Sequence, residues 1–151
     1  MKYVQTGSPI DALPYLAELD RLAETLPPGA LAFARLPEHY DFSAEGCVKD
    51  LKLAAISFND TGEDLQLTLN FKYNDLPSLK LQIHYTGVTS FEITTRDRNP
   101  VGPTRLGDMI LDEVLPVDGG ASHEMAHRGG TVLCERRCAT RRQTQRRCYE
   151  L

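Results

Sequence analysis

Leu65, Leu67, Leu69, Phe71 and Tyr73 alternate without a break with Gln66, Thr68, Asn70 and Lys72. Successive side chains of an extended chain point to opposite faces, so this rhythm puts every apolar residue on one side. A helix would scatter them around its axis. The stretch predicts a β-strand half buried on a core, and the rest of the fold is read outward from it. Residues 48–58 read as a strand before it, with apolar residues on both sides and a less defined register. Asn59, Asp60, Thr61 and Gly62 between them tolerate left-handed backbone angles, which predicts a β-hairpin. Residues 74–78 make another turn. Leu79, Leu81, Ile83 and Tyr85 then alternate again, and residues 88–95 give a further strand after Gly87. Residues 96–107 form a loop rich in charge, Gly and Pro. Residues 109–117 read as a fifth strand, or as a short helix ended by Pro116.

Residues 11–26 predict an amphipathic helix. Tyr15, Leu19, Leu22 and Leu26 recur at helical spacing, while Glu18, Asp20, Arg21 and Glu24 can face water. Asp11 is the expected N-cap, and Pro14 falls where its missing N–H needs no partner. Pro27, Pro28 and Gly29 stop the helix. The sum is an α+β domain, an N-terminal helix packed on an antiparallel meander of four to six strands. A chain of 151 residues fits one domain and buries roughly 70% of the surface its unfolded form exposes. No stretch approaches the ~20 apolar residues of a membrane span, and the first residues lack the apolar run of a secretory signal. The expected location is cytoplasmic. With one cysteine, Cys47, before residue 134, a disulfide-built fold is not expected.

Residues 123–127 read His-Glu-Met-Ala-His. On a helix, two histidines four apart share one face and can hold one zinc ion, with the glutamate polarising its bound water. Over residues 123–130 the segment resembles the zincin metallopeptidases, with Gly130 three residues past the second histidine as in their metzincin branch. The resemblance implies His123 and His127 as metal ligands and Glu124 as the general base. It ends at Leu133, where a third ligand would fall. Gly119-Gly120 and Gly129-Gly130 bracket the motif, and paired glycines favour turns over helix interior. The local pattern therefore predicts a strand over residues 122–128, with Gly129-Gly130 turning into Thr131, Val132, Leu133 and Cys134. Such a strand puts His123, Met125 and His127 on one face and turns Glu124 away. A separate zinc reading joins His123, His127, Cys134 and Cys138 as a tetrahedral structural set.

Composition changes at this point. Residues 1–127 hold ten basic and nineteen acidic groups, whereas residues 128–151 hold seven arginines, two glutamates and three cysteines. The boundaries read as a single α+β domain over residues 1–133 and an Arg/Cys-rich tail over 134–151, disordered or translated out of frame. Arg136, Arg137, Arg141, Arg142, Arg146 and Arg147 come in pairs at a spacing of five. They are the only part of the chain suited to nucleic acid or another polyanion, since the acidic body repels phosphate backbones.

Asp108, Asp112 and Glu113 offer carboxylates for acid–base work, although acids beside a strand more often face solvent. Cys47 has no basic neighbour to activate it, and His39 and His84 have no partner at metal or triad spacing. Phosphate-loop, nucleophile-elbow and dinucleotide motifs are missing. The leading expectation is a small binding or accessory protein whose sheet face or edge engages a protein partner. The acidic body suits a basic one, and the layout is loosely similar to bacterial immunity-type proteins. The alternatives are a zinc hydrolase using His123, Glu124 and His127, and a polyanion binder using the tail. No cofactor is expected apart from the zinc that the motif would imply.

Overall fold

The computed structural model describes residues 1–73, 80–95, 106–137 and 149–150. Helix α1 spans Leu13–Leu22 and buries Tyr15, Leu19 and Leu22 on its inner stripe. Ala12 takes the cap position, and Asp11 sits one residue further out, where its carboxylate accepts the Leu13 N–H at 2.8 Å. The prolines that end this segment also begin a second helix, α2 (Pro28–Ala34). A proline in the first turn loses only a donor that has no partner there. Seven residues are too few to display a helical period, which is why α2 is not visible as a pattern.

The strands are β1 (Lys52–Asp60), β2 (Leu65–Lys72), β3 (Leu81–Tyr85), β4 (Val88–Thr95), β5 (Met109–Val117), β6 (Gly120–His127), β7 (Gly130–Arg137) and β8 (Tyr149–Glu150). The molecule is α+β, but the meander divides into two sheets. One has the order β1-β2-β3-β8, its first three strands antiparallel and β8 a two-residue parallel addition to β3. The other is antiparallel with the order β4-β7-β6-β5. The division falls after Tyr85, where Gly87 at φ +68° turns the chain into the second sheet. Strand β7 continues through Arg137, across the domain boundary expected at residue 133. Cys138, Arg141, Arg142, Arg146 and Arg147 lie outside the described residues.

The sheets face each other across one core. Leu53, Leu67, Leu69, Phe71, Ile83 and Tyr85 come from the first, and Val114, Met125, Val132 and Cys134 from the second. At its start β1 lies beside the β5 edge, where Asp50 N–H donates to Met109 O at 2.9 Å and Met109 N–H to Leu51 O at 2.7 Å. At its far end Phe58 meets Phe91 of β4 edge-on, with centroids 5.4 Å apart. Strands β5 and β4 are the two borders of the second sheet, so β1 crosses that sheet from side to side.

The helices close the β5 side. Tyr15 hydroxyl donates to Val114 O at 2.8 Å and accepts the Val114 N–H at 3.3 Å. Tyr40 hydroxyl donates to Asp112 O at 3.1 Å. These side chains satisfy border groups that a further strand would otherwise claim. Among the described residues no helix is long and apolar enough to cross a membrane.

Candidate functional site

Residues 120–127 form a strand, as the bracketing glycines predict, with the Asp118-Gly119 turn before it and Arg128-Gly129 after it. His123, Met125 and His127 all lie on the buried face, and Glu124 lies on the other. Four residues of strand separate the histidines by about 13 Å, too far for one ion. The shared-zinc arrangement of His123, Glu124 and His127 requires a helix, and the chain does not make one here. Glu124 instead meets the Met1 ammonium on the outer face. Cys134 is the cross-strand neighbour of His123 and is buried, with its thiol pushed up to about 12 chiefly by burial. Among the described residues, no group of three or more His, Cys, Asp and Glu side chains is arranged to hold a metal ion.

His123 takes part in a buried chain of polar groups that joins both sheets to the loop after α2. Asp112 on β5 receives two imidazoles: His39 Nε2 at 2.6 Å on Oδ1 and His123 Nε2 at 2.8 Å on Oδ2. Tyr85 on β3 reaches His123 Nδ1 at 2.8 Å. Burial alone would raise the Asp112 carboxyl. The charge of His39 and the hydrogen bonds from both rings outweigh it and hold the group well below the usual carboxylate range. An ionised carboxylate can only accept, so both Nε2 atoms carry hydrogen. Burial raises the Tyr85 phenol well above its ordinary value, so its O–H is kept and donates to His123 Nδ1.

Phe33 of α2 packs edge-on to both imidazoles, with centroids 4.5 Å from His39 and 5.5 Å from His123. His39 and Asp112 are each 1% exposed and His123 is 2% exposed, so the chain of groups is interior. It has the composition of a catalytic relay, with all three of these side chains buried. Its physical effect is to fix the relation of the two sheets and the loop that carries His39.

The carboxylates grouped by sequence are dispersed by the strand. Asp108 stays near the surface between Lys52 and Arg128, each at 3.4 Å. Glu113 faces opposite to Asp112, is 1% exposed, and accepts the N–H groups of Lys2, Tyr3 and Val4 at 2.5, 2.6 and 3.0 Å. His127 Nδ1 donates to Gly107 O at 3.1 Å, and burial pushes that imidazole down. Arg136, expected among the polyanion contacts, is a buried strand residue. His39 is the member that sequence spacing missed, since it lies 73 residues from Asp112.

Strand β1 has a border that is open among the described residues. Strand β1 is nine residues long with burial falling away after Leu53, and Phe58 is 52% exposed despite its contact with Phe91. The Thr61 N–H donates to Asp64 O, which sets the alternation of the β1–β2 ladder. Asn59 and Ser57 then bond inward to β2. Ile56, Phe58 and Asp60 direct their N–H and C=O groups away from it, where no described residue pairs with them. Comparison with protein-family models, curated proteins and solved structures gives no match.

Proposed function

We propose that this protein is a binding module that engages a protein partner by strand addition at the free border of β1. The observation that carries the reading is the outward-facing backbone of Ile56, Phe58 and Asp60, beside the half-exposed Phe58 ring. In this mode main-chain hydrogen bonds supply affinity and neighbouring side chains supply selectivity. One border of the second sheet, β5, is covered by Tyr15, Tyr40 and the backbone of residues 50–51. The borders β1 and β5 are therefore treated differently. The rim around residues 60–64 holds Asp60, Glu63 and Asp64, so an incoming strand with a basic end is favoured.

Ile56→Pro tests the reading. Proline removes the outward donor of Ile56 without taking a bond from the β1–β2 ladder, a position where an outer strand accepts it. Capture of partners from the native host should fall at least tenfold for the variant, with the circular dichroism of the fold unchanged. Equal capture by both proteins would overturn strand addition at β1.

A further inference from the structure

We infer that the strand added to β1 can be the β1 of a second copy, giving a two-fold dimer centred on Ser57. The inference rests on the strand-addition reading and supplies the partner and the register. Its first support is charge. The base of the β1–β2 hairpin carries Lys52 and Lys72, and its tip carries Asp60, Glu63 and Asp64. An antiparallel pairing of two such ribbons sets each basic base against the other's acidic tip, whereas a parallel pairing sets like against like. An isologous contact of this kind closes on itself.

Backbone geometry then limits the register. Outward groups are available at Ile56, Phe58 and Asp60, and residues 51–52 are already occupied by Met109 and Asp108. The ladder shift between Leu53 and Ala55 interrupts the strand below them. Centring the axis on Ser57 lets Ile56 and Phe58 of each copy exchange main-chain bonds with Phe58 and Ile56 of the other. It places Asp60 opposite the second copy's Ala54, with Lys52 of that copy just beyond and beside the acidic tip. Ile56 and Phe58 share the inner face of β1, so the same register sets each Phe58 ring against the second copy's Ile56. That covers the largest exposed aromatic ring on the strand. The short free stretch implies weak association at the low end of interface sizes.

The two Ser57 residues would form a non-hydrogen-bonded cross-strand pair with Cα atoms about 4.5 Å apart, inside the range a disulfide spans. Ser57→Cys is therefore made in the full chain with Cys138→Ser and Cys148→Ser. Mild oxidation should give a covalent dimer at least tenfold faster than in the same background with Glu92→Cys, an exposed position on β4. Sedimentation of the wild-type chain at about 200 µM should show dimer, with Phe58→Lys monomeric. A wild type that stays monomeric, or cross-linking no faster than for Glu92→Cys, overturns self-pairing. If capture of a host protein remains sensitive to Ile56→Pro in that case, strand addition stands with a different occupant. If capture is insensitive, both fall.

Discussion

Asp112→Asn should be the most damaging conservative change in the interior. Asp112 is 1% exposed and holds two imidazoles at 2.6 and 2.8 Å. Asparagine keeps the volume but loses the charge, and its NH₂ must face one of the two Nε2–H donors. One imidazole then confronts a donor and both lose a charge-assisted bond. Removing one member of a buried ionic group costs about 3–5 kcal/mol, a large part of a total stability of roughly 5–15 kcal/mol. At an m-value of about 2 kcal/mol/M the urea midpoint falls by about 1.5–2.5 M. The chain has six tyrosines and no tryptophan, so tyrosine fluorescence and far-UV circular dichroism follow the transition. The pH dependence has a definite sign. The folded carboxyl lies below its unfolded value, so its contribution is complete above about pH 4 and is lost as pH falls further. Wild type and variant should converge in acid. A loss under about 1 kcal/mol at pH 7, or parallel curves across the acid range, would refute the role given to this carboxylate.

Three further changes test separate parts of the fold. Glu113→Gln weakens the acceptor that holds the Lys2, Tyr3 and Val4 amides. It should cost about 1–3 kcal/mol and speed hydrogen exchange at those amides selectively, with unchanged exchange counting against the clamp. His127 is buried with its imidazole pushed down, so its neutral form stabilises the fold above its unfolded value and that support is lost on acidification from about pH 6.5. His127→Asn retains a donor for Gly107 O, and its stability should decline less steeply than wild type below that pH in urea titrations. A Cβ on Gly130 would sit 2.1 Å from Thr94 O and 3.0 Å from Thr95 Cα, both main-chain atoms of β4. Gly130→Ala should lose about 1–3 kcal/mol and lower Tm, while Gly7→Ala, with nothing within 4 Å, should stay within about 0.5 kcal/mol of wild type.

Strand content was legible because period-two alternation is a local property. Residues 88–95 and 109–117 match β4 and β5, and the glycine pairs around residues 123–127 correctly favour a strand. The division into two sheets was not legible, because Gly87 permits both a return to β3 and an exit to another layer. Helix α2 hid in a segment too short for a period. The Asp112 cluster hid for another reason. Asp112 and Glu113 are adjacent letters that the strand sends to opposite faces, and their partners come from residue 39 and residues 2–4. Spacing rules find partners only when one element carries both, and here every partner arrives from another element.

The letters His-Glu-Met-Ala-His carry different chemistry on different backbones. On a helix the first, second and fifth residues converge on one ion. On β6 the fifth is carried about 13 Å from the first, and the second turns to the opposite face. His123 then pins two sheets through Asp112 and Tyr85, His127 holds the Gly107 carbonyl, and Glu124 meets the N-terminal ammonium. All three ionisable side chains are engaged within the chain. The proposed recognition draws on main-chain groups instead. At β5 the outward groups of Asp112 and Val114 are met by tyrosine hydroxyls, while at β1 those of Ile56, Phe58 and Asp60 face outward beside a half-exposed ring. Unpaired strand groups next to apolar surface gain from any strand that can reach them. The bulged, partly covered base of β1 narrows that gain to five residues, short enough to select a register.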